Sequence, residues 1–136
     1  MIVFQGIQLF TDFKPGAGSV VGSLPTTPGI YAEIYWPQRG LRFGETGRSV
    51  RGKIRHDIGW FRSMHDGTAP VAQLRRSLPI AEAAKATGVV GFEFYLVSAD
   101  ARLEDKTLRQ ETERFLFAWA DAADSFVNWN RQVSWR

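Results

Sequence analysis

A chain of 136 residues with 44% hydrophobic and 13% aromatic content is long enough to bury one core and too apolar for intrinsic disorder. It holds no cysteine, which excludes disulfides, thiolate zinc sites and cysteine nucleophiles and suits a reducing, cytoplasmic setting. The net charge of +3 favours polyanions only modestly, and no apolar run reaches the ~20 residues of a membrane span.

Residues 2–10 read as a short strand with Ile2, Phe4, Ile7 and Leu9 inward. Residues 14–28, rich in glycine and proline, read as a loop. The first long strand spans 29–36, where Ile30, Ala32, Ile34 and Trp36 alternate with Tyr31, Glu33 and Tyr35. Pro37-Gln38-Arg39-Gly40 makes a turn, in which proline presets one backbone angle and glycine supplies the other. Leu41-Arg42-Phe43 returns antiparallel, and Gly44 and Gly47 bracket the loop that follows.

A helix is expected over 49–64, with Val50, Ile54, Ile58, Phe61 and Met64 as its apolar stripe. Gly52 and Gly59 each cost it about 1 kcal/mol relative to alanine. They either allow a close approach of the backbone to a sheet or phosphate or do nothing of the kind. From Arg39 to Arg62 the basic residues Arg39, Arg42, Arg48, Arg51, Lys53, Arg55 and Arg62 outnumber the acidic Glu45 and Asp57. Such a run is either a solvated helix face or a surface for a polyanion.

Residues 65–77 read as a surface loop, and 78–87 as a short helix with Ser77 as cap, Pro79 in its first turn and Gly88 at its end. A third strand spans 89–98, with Phe92, Phe94 and Leu96 on one side. A last helix spans 103–123, burying Leu108, Phe115, Leu116, Trp119 and Ala123, after which Phe126 to Asn130 folds back. The order β-β-α-α-β-α gives an α+β fold: a three-stranded antiparallel sheet flanked by helices.

This ordered set resembles the GIY-YIG nuclease domain. Gly29-Ile30-Tyr31 matches the first tripeptide of the family's name, and Arg42-Phe43-Gly44 stands at the second, Phe43 falling twelve residues after Tyr31. The basic helix, the later strand, the glutamate-bearing helix and a closing asparagine, Asn128 or Asn130, follow in the family's order. The likeness covers residues 28–130 of a single domain spanning 1–136, with 1–27 as an amino-terminal extension.

The resemblance implies cleavage of a DNA phosphodiester with one divalent ion, Mg2+ or Mn2+. A transition state that gathers negative charge is stabilised by a cation and a metal placed at it. Carried over by position, Tyr31 and His56 handle the proton. Phe43 stands for the second tyrosine without its hydroxyl, Tyr35 being a substitute for it, and Lys53 falls where the helix arginine is counted. Arg51 and Arg55 are near enough to compensate for the lost arginine, and Arg48, Arg51 and Arg62 extend the basic surface towards DNA. Glu113 or Glu111 holds the metal, and Glu113 has the better-placed apolar residues, Leu116 and Phe117, after it. The replacements at Phe43 and Lys53 keep two further readings open: a module of the same fold that binds DNA without cutting it, and a protein-interaction module on the same scaffold.

Overall fold

The computed structural model describes residues 1–68 and 79–130. Its centre is a four-stranded sheet in the order β5-β3-β4-β6, formed by β3 (Gly29–Tyr35), β4 (Gly40–Thr46), β5 (Phe92–Ser98) and β6 (Val127–Asn128). The fold is α+β, with one strand more than the sequence suggests. Two-residue β6 is too short to show a period of two, and it runs parallel to β4 at Gly40 and Leu41. Residues 2–10 are not one strand but a hairpin of β1 (Ile2–Phe4) and β2 (Ile7–Leu9). Its two-residue turn has Gln5 and Gly6 at positive φ, 49° and 79°.

The sheet is covered on both sides, so all seven residues of β3 are buried. On one side lie α1 (Val50–Asp66) and α2 (Pro79–Thr87), packed on Tyr31, Tyr35, Phe92 and Phe94. On the other lie α3 (Lys106–Ala122) and the hairpin, packed on Ile30, Ala32, Ile34, Leu41 and Phe43. The outer edge of β5 is closed by the segment between β2 and β3, where Phe10 and Ser19 donate to the Val97 and Phe94 carbonyls at 2.9 and 2.7 Å.

Two features of the β3–β4 register position the charged residues. Tyr31 stands opposite Gly44, and Glu33 opposite Arg42. Any Cβ on Gly44 would overlap the Tyr31 ring, and one on Gly40 would overlap Trp129. The turn joining the strands is closed by Arg39 in the left-handed region, φ 53°, rather than by Gly40 as the sequence suggests. Glycine at 40 is explained by the tryptophan lying on it.

Helix α1 begins where Ser49 Oγ accepts from the Gly52 N–H at 3.0 Å, and it ends at Gly67, φ 76°. Its buried stripe is Val50, Ile54, Asp57, Phe61 and Met64, so an aspartate takes the place expected of Ile58, which is half-buried. Gly52 and Gly59 are exposed and meet nothing of the sheet, so neither serves a close approach of helix to sheet. The expected cap Ser77 and first residue Leu78 of the next helix lie outside the described residues, as does most of the expected 65–77 loop.

Helix α3 starts later than expected, because Asp105 caps it at the Thr107 N–H, 3.0 Å away. Residues Ala101–Glu104 form a separate 3-10 turn capped by Asp100. The helix buries Arg109, Thr112, Leu116, Phe117 and Ala120, while Leu108, Phe115 and Trp119 are half-buried. Its inner face is turned from the expected one because a buried arginine belongs to it. The tail does fold back: Trp129 is buried, and Asn130 Oδ1 accepts from the Phe43 N–H at 2.7 Å.

Candidate active site

Five residues on the α1 side of the sheet form a charged cluster. Glu33 Oε1 accepts from Arg42 Nη1 at 2.7 Å, directly across the strand pair. The same nitrogen lies 3.8 Å from Asp57 Oδ2 on α1. Lys53 Nζ reaches Asp57 Oδ1 from one turn earlier, at 3.5 Å, and the Tyr31 hydroxyl donates to Asp57 Oδ2 at 3.5 Å. Asp57 thus gathers one group from each of β3, β4 and its own helix.

Burial governs the chemistry of this cluster. Glu33 is 1% exposed, and its buried Oε2 has no hydrogen-bond partner among the described residues. Burial first, and then the Asp57 carboxyl beside it, raise its pKa well above the usual carboxylate range against the pull of Arg42. Burial likewise pushes the Tyr31 phenol up, with Glu33 and Asp57 adding to it, so the hydroxyl stays a donor at neutral pH. For Arg42 burial works the other way, but the charges of Glu33, Tyr31 and Asp57 outweigh it and hold the guanidinium protonated.

A second group of charges lies on the α3 side. Buried Arg109 donates from Nε to Glu45 Oε2 at 3.0 Å, and from Nη1 to the Leu103 and Glu104 carbonyls at 3.0 and 3.3 Å. A Cβ on Gly47 would press on its guanidinium, so the glycine leaves room for it. Glu113, one helical turn beyond Arg109, is half-buried, and burial and the charge of Glu45 push its pKa up to about 7. Arg42 is close enough to Glu113 for its charge to oppose that shift, which links the two groups around the β4 edge.

The sequence-derived residues divide sharply. Tyr31 and Lys53 enter the cluster. Phe43 does not: it points into the opposite core, edge-on to Trp119 at 6.1 Å and beside Phe13. Residue by residue, Arg42-Phe43-Gly44 sets Arg42 at the tyrosine of Tyr-Ile-Gly, and Arg42 is the residue on Tyr31's face. Tyr35 is no substitute either, since its ring packs on Phe92 and Trp129, centroids 4.9 and 6.0 Å away. His56 is exposed and, at 3.6 residues per turn, shares a flank of α1 with Lys53.

Arg51, Arg55 and Arg62 fall on the other flank, so the basic run is split between two sides of the helix. Arg51 is anchored there, its Nε donating to the Leu24 carbonyl at 2.9 Å, whereas Arg55 and Arg62 are exposed. Arg48 is exposed on the loop before the helix. Glu111 is half-buried, but two residues from Glu113 it projects to a different side of α3. Asn130 and Asn128 are structural, the second holding the first through its Oδ1 at 2.6 and 2.8 Å.

No family model matches the chain, and no curated protein or solved structure does.

Glu33, Arg42 and Asp57 were legible only as anomalies: a carboxylate inside a strand that is apolar on both faces, an arginine opposite it, and an aspartate inside a helical stripe. A cavity of about 260 Å3 lined by Thr27, Pro28, Ala99, Asp100, Ala101 and Glu104 shares no residue with either charged group.

Proposed function

We propose that the chain is a GIY-YIG-type endonuclease, a hydrolase that cuts a DNA phosphodiester with one Mg2+ or Mn2+. One observation carries the reading. Tyr31 from the first tripeptide, Arg42 from the second and Lys53 from the basic helix meet at a single carboxylate, Asp57, with Glu113 round the same strand edge. Residues from three separate stretches of the sequence, the first and last twenty-two positions apart, converge there, which supports the reading.

The donor set suits a hard divalent ion. Glu113 and Glu45 are half-buried carboxylates near enough for the charge of Glu45 to raise Glu113, and a bound cation would offset that effect. Among the described residues no three acidic or histidine side chains group to hold an ion by themselves, so water and substrate phosphate complete the shell. Such an ion supplies Lewis acidity at the phosphate.

The chain's own residues supply the rest. Tyr31, a donor at neutral pH, fixes Asp57, and Asp57 in turn fixes Lys53. His56, on the open flank beside Lys53, is the side chain available to take a proton from water.

A second reading is favoured by one specific feature: Tyr31 is 0% exposed, sealed under its own strand pair. A domain that binds DNA through Arg48, Arg55 and Arg62 without cutting it needs no accessible tyrosine. Plasmid cleavage in Mg2+ or Mn2+ separates the two. Cutting by the native chain that is lost in Glu113→Gln supports the nuclease. Salt-sensitive DNA binding by a native chain that never cuts moves the assignment to the binding module.

A further inference from the structure

We propose that Arg42, pinned by Glu33, is the residue that grips the nucleic-acid phosphate, in place of a cation from the basic helix. The inference deepens the reading above and rests on a DNA backbone reaching the open edge of β4.

Position comes first. β6 pairs with β4 only at Gly40 and Leu41, so from Arg42 onward β4 is the outer strand of the described sheet. The Arg42 side chain is 29% exposed, while its partner Glu33 is fully enclosed. The Arg42 side chain therefore joins an enclosed carboxylate to a partly open position.

Its donors are divided in the same way. Both carboxylate contacts, to Glu33 at 2.7 Å and Asp57 at 3.8 Å, are made by Nη1. A guanidinium carries five N–H groups in a rigid fork, so the other nitrogens retain donors for a phosphate oxygen. Anchoring by Glu33 removes the rotamer freedom that a free arginine would lose on binding.

Lys53 is the weaker candidate on the same geometry. Its ammonium is committed to Asp57 at 3.5 Å, and a point charge lacks the fork.

Glu33 is in these terms a positioning residue, acting through Arg42. The test is fluorescence anisotropy of a short labelled DNA duplex in EDTA across a salt series, so that binding is read without cutting. The variants are Arg42→Lys, Lys53→Gln and the double variant Glu33→Gln/Arg42→Gln. The double variant removes both charges together and leaves no buried ion unpaired.

The double variant, folded by circular dichroism, is expected to bind about tenfold more weakly or worse, with a salt slope smaller by about one. Arg42→Lys is expected to keep the slope and lose affinity, because charge survives and the fork does not. Lys53→Gln is expected to lose less than the double variant. A folded double variant with native affinity and slope overturns the proposal, as does a larger loss in Lys53→Gln or a native chain that binds no DNA. Cutting is scored separately with Mn2+: a chain that shows the Arg42 effect and never cuts keeps this site and sinks the nuclease. A chain that cuts equally well with and without Arg42 does the reverse.

Discussion

Glu33 and Arg42 stand directly opposite each other on the two central strands, and a 2.7 Å ion pair joins them beneath helix α1. The pair explains how a strand buried on both faces tolerates a carboxylate. It also fixes an arginine on the sheet face that Tyr31 occupies.

Breaking the pair from one side is expected to be costly. Arg42→Ala leaves Glu33 enclosed without its counter-charge, and such losses run to about 3–5 kcal/mol. The double variant Glu33→Gln/Arg42→Gln is expected to lose clearly less. Urea denaturation of the three proteins checks this, and equal losses in single and double variants mean that the pair is not coupled.

Phe43→Tyr restores the hydroxyl that the second tripeptide lacks, yet it is expected to confer no gain in cleavage or DNA binding. The new oxygen enters the core beside Phe13 and Trp119, away from Tyr31. An unpaired buried hydroxyl there costs about 1–3 kcal/mol. A rise in cleavage rate with unchanged stability contradicts the placement of Phe43 on the α3 side.

Gly44→Ala tests the contact beneath Tyr31. The added methyl falls on the phenol ring, so either the ring moves or β4 does, at about 1–3 kcal/mol. Since the ring carries the hydroxyl bonded to Asp57, DNA binding and stability are expected to fall together. The comparison is Gly59→Ala, where a methyl meets nothing and helix propensity predicts a small gain in stability.

The physics of period explains what the sequence could and could not disclose. The alternation of β3 and the stripe of α1 place both elements within a residue or two, because each buries an apolar face. The same reasoning misplaces Phe43, since counting to an aromatic ignores which face a residue takes; the pairing of Tyr31 with Gly44 puts position 43 on the far side. Asp57 and Arg109 escape any apolar count because each is buried by a partner far away in sequence, Arg42 and Glu45 respectively. Glu111 and Glu113 are both half-buried, and they differ in that the charge of Glu45 is felt at Glu113. His56 and the exposed arginines were readable only as charge, and the helix divides them between two flanks.

Glu113 gives the chain a pH signature of its own. Its carboxyl is pushed up to about 7 by burial and by Glu45, so in the folded protein it holds its proton above the ordinary carboxylate range. The folded state then binds more protons than the unfolded chain between the ordinary value and about 7, and stability falls as pH rises through that window. Below it the contribution is fully present, and above it the contribution is gone. The full shift sets a ceiling of about 3 kcal/mol, reduced by solvent at this half-buried position. Thermal melts of the native chain and Glu113→Gln are expected to converge in mildly acidic buffer and diverge as pH rises, with the glutamine variant the more stable near pH 8. Mn2+ is expected to narrow that gap by stabilising the charged native carboxylate and to leave the variant unmoved. Parallel pH profiles with and without Mn2+ remove both the shift and the metal from Glu113.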